Sequence, residues 1–437
     1  MIRVRCPEEV AETLVESESV IARGAGRSYG DAAQNSRGDV LDMTALDQIL
    51  SIDREQALIT AQAGATVAQL MARLAFHKLT LPVVPGTRHV TLAGAIASDI
   101  HGKNHHQDGG LARHVAALSL YTPTGACLEI SPEVNPELFY ATLGGMGMTG
   151  VVVQATLRAE PLAAPWVVAD IDRTDSLEQT LALLGGEERH RYSVAWLDLL
   201  AEGSQLGRAV VSRADPWPAE SAIPPTRGRR TPYPGTLSQR SALEVPRGFP
   251  AALLRPAGMR VFNALRWRAA PRTERERPLA LAPYFFPLDA LGAWNRLYGS
   301  AGLIQYQFVV PTGQEGELVR CVRLLRLRGL PVYLAVLKRL GAAFGGPLSF
   351  PLEGWTLAVD LPAAAPGLGA ALDELDEVVA GCGGRVYLTK DARLGQDVMA
   401  AMYPELDRFH SQRAQVDPDG VLRSDLSRRL GLCEAAR

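Results

Sequence analysis

Cysteine is scarce: Cys6, Cys127, Cys321, Cys382 and Cys433 are all that a chain of 437 residues holds, and they stand far apart. No C-x-x-C pair or cysteine–histidine cluster occurs, which argues against zinc-finger, iron–sulfur and disulfide-scaffold classes. An odd, sparse set of thiols points to a reducing, cytoplasmic compartment. Charge of one sign is lacking as well. A net charge of −2 gives no basic field of the kind that holds nucleic acid. No apolar run reaches membrane-spanning length, and no signal peptide is expected from the first residues. With 47% hydrophobic and 21% charged residues, the chain is an ordinary globular one, long enough for two or three domains.

Glycine is plentiful, and its placement is informative. R-G-A-G-R-S-Y-G at 23–30 follows a short apolar lead-in, Val20-Ile21-Ala22. Glycines in such a loop let backbone N–H groups approach an anion without a Cβ in the way, and Arg23 and Arg27 offer charge-assisted bonds to phosphate. The spacing is G-x-G-x-x-x-G and no helical pattern follows, so it is not a Rossmann fingerprint. A plain turn remains an equal reading of this loop taken alone. A second loop, P-G-T-R-H-V-T-L-A-G at 85–94, also follows an extended apolar segment. Two such loops suit a clamp on the two phosphates of a dinucleotide.

Those two loops, G-G-M-G-M-T-G at 144–150 and D-I-H-G-K-N-H-H at 99–106 together resemble the PCMH-type FAD-binding domain of the vanillyl-alcohol-oxidase superfamily. Within it the chain is most similar to the family of oxidase subunits of decaprenylphosphoryl-β-D-ribose 2′-epimerase. The resemblance implies an α+β fold with a two-part FAD-binding domain, 1–160 and 385–437, and a substrate domain, 161–384, with an antiparallel sheet flanked by helices. It implies FAD contacts from Arg23, Gly24, Ala25, Gly26, Arg27, Ser28, Tyr29 and Gly30, then from Gly86, Thr87, Thr91, Leu92, Ala93 and Gly94, and from Ser98, His101, Gly102, Val152 and Tyr387. Many relatives bond a histidine covalently to the flavin where this chain has Arg27, so the FAD is expected to be non-covalent. Lys103, Trp196, Gln305, Gln307 and Lys338 match substrate-pocket positions. His101 is placed beside the flavin, and Lys390, in K-D-A-R, faces it as the proton acceptor. Mycobacterial members carry a cysteine where this chain has Ala358, a change that removes no group the oxidation needs. Members also carry a further segment ahead of the first helix, so the resemblance leaves that edge of the flavin domain open, with a mis-assigned start and a genuine loss as the two readings.

The patterns along the chain agree with a mixed fold. Helices are expected at Pro7–Glu16, Val67–His77, Glu137–Thr142, Gly292–Tyr298, Glu315–Arg328 and Leu368–Ala380, from apolar spacing and acidic first turns. Cys127–Ile130 pairs with Ser119–Thr122 across a Pro-Thr-Gly turn. Strands are expected at Val151–Leu157, Trp166–Ile171, Ser193–Leu197, Arg208–Ser212, Ile304–Val310, Val332–Leu337, Thr356–Asp360 and Arg385–Leu388. Residues 214–278 read as loop, rich in proline and arginine.

Three readings of function follow. The first, implied by the resemblance, is FAD-dependent oxidation of the C2 hydroxyl of a polyprenyl-phosphoryl-β-D-ribose to the 2-keto sugar. A separate NAD(P)H-dependent reductase would then complete epimerisation to the arabinose donor of cell-wall arabinan. The second is oxidation of a soluble aldonolactone or alditol. The third is a flavin-binding scaffold without turnover, against which Lys390 and His101 stand. A metal reading of His101, His105 and His106 is disfavoured, because Gly102 and Asn104 oppose a helix and no carboxylate or cysteine cluster completes a site. The purely structural alternative for Lys390 is an ion pair with Asp391 or Asp360. From Arg227 to Arg277 there are twelve arginines against three glutamates, interleaved with Phe249, Leu253, Leu254, Met259, Val261, Phe262, Leu265 and Trp267. This mixture suits an anionic bilayer surface, so a peripheral position at the inner membrane face is the expectation beside a purely cytoplasmic one. The family resemblance adds a periplasm-facing placement.

Overall fold

The computed structural model describes residues 1–186, 189–221, 243–247 and 256–433. Its largest unit is an eight-stranded antiparallel sheet in the order Thr273–Ala280, Trp166–Thr174, Arg208–Pro216, Tyr192–Asp198, Leu334–Leu340, Gly354–Pro362, Leu303–Pro311 and Arg385–Val386. Side chains alternate between the two faces of a strand, and directly paired residues share a face. Tyr306, Phe308 and Val310 therefore fall with Leu357, Val359, Leu337, Ala195 and Leu197 on one face. All are buried against Leu318, Cys321 and Val322 of helix Glu315–Leu327 and Leu372, Leu375 and Val379 of helix Leu368–Gly381.

A five-stranded antiparallel sheet runs Ile49–Asp53, Leu58–Gln62, Val151–Arg158, Val115–Tyr121 and Cys127–Ile130. Helix Val67–Ala75 packs on it through Val67, Leu70, Met71 and Leu74. A capping box starts that helix: Gln69 N donates to Thr66 Oγ1, and Thr66 N donates to Gln69 Oε1 at 2.8 Å. The helix stops short of the expected His77 because Lys78 turns left-handed, with φ 58°. A three-stranded parallel sheet, Ile2–Arg3, Asp39–Asp42 and Val20–Arg23, completes the N-terminal part.

The C-terminal segment returns to this part. Val20 N donates to Val421 O and Arg423 N to Val20 O, both at 2.9 Å. Arg429 bonds both carboxylate oxygens of Asp31 and also Asp391 Oδ2. Its first strand behaves differently. Arg385–Val386 is the edge strand of the large sheet, paired with Val309 and Phe308, so the sheet extends past the boundary expected at 384.

Three expectations need correction. Residues 214–278 are not all loop: Pro256–Ala269 is a helix and Thr273–Ala280 an edge strand. The strand carries alternating Glu and Arg, so no apolar alternation announces it, while proline is tolerated in the helix's first turn. Residues 222–242 and 248–255 lie outside the described residues. Second, Gly292–Tyr298 is not an α-helix. Ala293 takes a left-handed φ of 52° between the two-residue strand Leu291–Gly292 and the 3-10 turn Trp294–Tyr298. Third, the strand expected at Arg385–Leu388 ends at Val386, and Leu388–Lys390 is a 3-10 turn. His105–Asp108 forms one helical turn that starts after Asn104, so His101 and His105 share no helical face, as expected.

Candidate active site

The second face of the large sheet is polar where the first is apolar. Register puts Gln305 opposite Asp360, Gln307 opposite Ala358, and Lys338 opposite Thr356. Trp196 sits opposite Val336 on the same face, and the guanidinium of Arg266 lies 4.8 Å from its ring centre. Buried polar groups need partners, and these have them. Gln305 Nε2 donates to Asp360 Oδ1 at 2.5 Å, and Tyr298 OH donates to Asp360 Oδ2 at 3.3 Å. Gln307 Nε2 lies 2.9 Å from His101 Nε2 and 3.0 Å from Thr356 Oγ1. Thr356 Oγ1 itself donates to Phe308 O, so it accepts from Gln307. With both amide hydrogens so used, His101 accepts at Nε2 and carries its proton on Nδ1, which is buried without a partner.

The two glycine loops meet in front of this face. A Cβ on Gly24 would fall 2.0 Å from Thr91 Oγ1, and one on Gly94 2.9 Å from the same atom. A Cβ on Gly30 would fall 1.7 Å from Asp391 O, and Tyr29 N donates to Thr389 O at 3.0 Å. The first loop is thus seated between the second loop and the lysine segment, and only glycine permits that approach. Thr91 Oγ1 is buried with no partner. An orphaned hydroxyl between two close-packed glycine loops, and an orphaned His101 N–H nearby, are donors that fit a dinucleotide with a polar ring system.

The remaining expected cofactor residues divide. Tyr387 stacks on Phe350 at 4.6 Å and donates its OH to Ser98 O at 2.7 Å, with its ring 5.3 Å from His101. Gly102 is buried where a Cβ would meet Asn104 Oδ1 at 2.6 Å. Arg23 is turned back on its own loop, with Nη1 donating to Ala33 O and Nη2 filling the space a Gly26 Cβ would need. Arg27 is exposed, Gly86 borders open space, and Thr87 Oγ1 accepts from His89 N. Ala25 and Ser28 are partly exposed in the loop. Leu92 and Ala93 begin helix Leu92–Ala97, and Leu92, like Val152, packs into the core of the five-stranded sheet.

Cations gather around His101. Lys103, Lys338 and Lys390 are each partly accessible. Burial, with Lys338 adding to it, lowers Lys390 to about 7, against an opposing pull from Asp360. Burial and Lys338 likewise lower Lys103 to about 7, and burial lowers Lys338 to about 8. Burial first, then Lys338, His105 and Lys390, hold His101 well below the usual imidazole range, so it is neutral. Lys390 Nζ lies 4.0 Å from the centre of the Tyr29 ring. Asp391 is turned away from it to Arg429 and the Arg393 and Leu394 amides, leaving Asp360 as the carboxylate that acts on Lys390. Lys103 is committed elsewhere than expected: its ammonium donates to Tyr284 O and lies 4.0 Å from that ring's centre.

Two residues without an expected site role complete the arrangement. In the sequence Asp360 stands only as an ion-pair partner, because its place opposite Gln305 is visible only once the strands are paired. Asp99, inside the D-I-H-G run, takes φ 37°, accepts from Ala112 N at 3.0 Å and from Ser349 Oγ, and is raised to about 6 by burial. It ties the His101 segment to the loop that carries Phe350. Among the described residues no group of His, Cys, Asp and Glu could hold a metal ion.

Comparison with known proteins adds the chemical identity. Residues 1–131 match the FAD binding domain family. The chain is 41% identical to decaprenylphosphoryl-beta-D-ribose oxidase of Mycolicibacterium smegmatis over 94% of its own length and 89% of that protein. It is 41% identical to a Streptomyces coelicolor protein, "Uncharacterized protein in mprA 5'region", over 80% of this chain and 96% of that one. L-gulono-1,4-lactone dehydrogenase of Mycobacterium tuberculosis is 25% identical over 96% of this chain and 92% of that protein. The loops, the orphaned donors and this coverage agree: the chain belongs to the PCMH-type FAD-dependent oxidoreductases, in the family that includes decaprenylphosphoryl-beta-D-ribose oxidase.

Proposed function

We propose that this enzyme oxidises the C2 hydroxyl of a polyprenyl-phosphoryl-β-D-ribose to the 2-keto sugar. Lys390 carries the reading: a lysine lowered to about 7, beside a neutral histidine and under one buried carboxylate, is suited to take a hydroxyl proton near neutral pH. Bound FAD supplies the two-electron acceptor. The chain supplies the rest. Lys390 Nζ takes the C2 hydroxyl proton as the C2–H bond breaks. Gln305 and Gln307 are held by Asp360 and Thr356 and orient the sugar, while Lys338 offers the phosphate a cation. The two glycine loops, Ser98, His101, Gly102, Val152 and Tyr387 would hold the FAD, with the cofactor domain formed by 1–160 and the C-terminal segment that follows the edge strand Arg385–Val386.

The FAD is held non-covalently, since exposed Arg27 stands where a linking histidine would be needed. Acid precipitation should release intact FAD into the supernatant; flavin retained in the pellet would overturn this. The reading includes a separate NAD(P)H-dependent reductase for the keto product, and a peripheral membrane contact. No described helix is long and apolar enough to cross a membrane. The test of substrate is anaerobic bleaching of the flavin spectrum by detergent-dispersed prenyl-phosphoryl ribose, beside free aldonolactones and alditols. Bleaching by the prenyl-phosphoryl sugar alone is expected. Preference for a free polyol would move the assignment to the soluble-substrate oxidases.

A further inference from the structure

Helix Pro256–Ala269 carries large apolar residues on its outward side, where an ordinary surface helix is polar. Its inward side is Met259, Asn263 and Trp267, spaced four apart. Two of the three are polar anchors: Asn263 Nδ2 donates to Asp198 Oδ1 at 3.1 Å, and Trp267 Nε1 donates to Thr174 O at 3.0 Å. The guanidinium groups of Arg173 and Arg208 lie 4.3 and 4.7 Å from the Trp267 ring, so the helix is fixed in rotation. That rotation leaves Val261, Phe262 and Leu265 60%, 53% and 61% exposed.

At 3.6 residues per turn these three fall on the side opposite the anchors, with Arg268 beside them and Arg260 and Arg266 on the two flanks. The helix has no acidic residue to oppose those arginines; among the described residues Arg260 has a distant contact at 3.7 Å with exposed Glu202. Its position is also pointed: Arg266 covers Trp196, on the polar face that carries Gln307 and Lys338. An apolar stripe bordered by arginines is the pattern of a helix lying in a lipid interface, its apolar side among acyl chains and its cations at phosphate level.

We propose that the Val261–Phe262–Leu265 face of this helix docks on the headgroup layer of an anionic bilayer, next to the substrate site. The proposal rests on the membrane contact in the reading above and names the surface that makes it. Like-signed charge on both flanks favours an anionic lipid surface over a mixed-charge protein partner.

Holoenzyme would be co-sedimented with vesicles of phosphatidylcholine alone and of phosphatidylcholine with phosphatidylglycerol, at low and high salt. The wild type is expected to partition onto the anionic vesicles about tenfold better than onto neutral ones, and to lose that advantage in high salt. Val261→Ser with Phe262→Ser and Leu265→Ser should lower binding to anionic vesicles by about tenfold or more, with flavin content and bleaching by dispersed substrate unchanged. Should the triple variant lose flavin, Leu265→Gln with Arg268→Gln gives the same readout with a smaller loss. No sedimentation of the wild type, or equal sedimentation of wild type and variants, overturns the proposal. So does concentration-dependent self-association that the triple variant abolishes, which would make a second copy the occupant. Bleaching without vesicle binding removes the docking face alone; vesicle binding without bleaching removes the substrate reading and leaves the face standing.

Discussion

The two faces of the eight-stranded sheet are built from the same strands and differ by a shift of one residue. Tyr306 and Phe308 point into an apolar core, while Gln305 and Gln307 meet Asp360 and His101. Leu357 and Val359 belong to the core, and Thr356, Ala358 and Asp360 to the site. One face supplies cohesion; the other holds desolvated lysines that burial disfavours in their charged form. The rigid core lets the second face keep groups in states that water would not allow them. Stability and catalysis should therefore respond to different residues of one strand.

The largest effect expected on the core side is from Phe308→Ala, which leaves a cavity in a fully buried position and should cost about 3–5 kcal/mol. Denaturant unfolding monitored by fluorescence checks it, and the surviving folded fraction should still reduce its flavin. Lys390→Ala should do the reverse. Its flavin-reduction rate should fall by about two orders of magnitude or more, while the melting temperature is not lowered, since a desolvated cation is removed. Unchanged bleaching by Lys390→Ala would make the lysine an ion pair for Asp360 and nothing more.

A smaller effect distinguishes Asp360 from the core residues beside it. Lys390 must be neutral to accept a proton, so the rate of reduction should rise with pH through about 7 and then level off. Asp360 is the carboxylate that holds this value up, so Asp360→Asn should let it fall further and move the rising limb to lower pH. Burial raises Asp360 itself, and a limb that does not move would mean that its carboxyl is already protonated in the working range. Stopped-flow reduction over a pH series reads both. Exchanging its neighbour Val359 for Ala should change stability and leave the limb where it is.

Much of this architecture is legible in the residues. Alternation marks most strands of the large sheet, and composition places the glycine loops, because both signals are local. The features that stay hidden depend on pairing or on anchors distant in sequence. Asp360 gains meaning only opposite Gln305, and the turning-away of Asp391 depends on Arg429. The helix at 256–269 is hidden because its inward side holds only Met259 and Trp267 around a polar Asn263, so the apolar stripe that faces inward is short and interrupted. Val261, Phe262 and Leu265 lie exposed on its outward side instead. Lys103, expected free for phosphate, is instead held by Tyr284, a partner far along the chain.

The smallest effect tests the comparison most directly, at Ala358. This residue is partly exposed on the polar face, opposite Gln307 and Val336, and its neighbour Val359 is fully buried on the other. Ala358→Cys adds one sulfur to the polar face and removes no hydrogen bond, so turnover should stay within about twofold and stability within about 0.5 kcal/mol. Its thiol would share the polar face with Lys338, whose positive field favours the thiolate. Native Cys321 gives the opposite case: burial behind the apolar face pushes its thiol up to about 12. In a Cys127→Ser background, which removes the exposed native thiol, Ala358→Cys should react with a small methanethiosulfonate faster than the parent, and the adduct should block flavin reduction. Val359→Cys, one residue along, should not react until the protein unfolds. Equal reactivity at 358 and 359 would show that the two faces are not separated as described, and protection of the Ala358→Cys thiol by bound substrate would place the sugar against the glutamine strand.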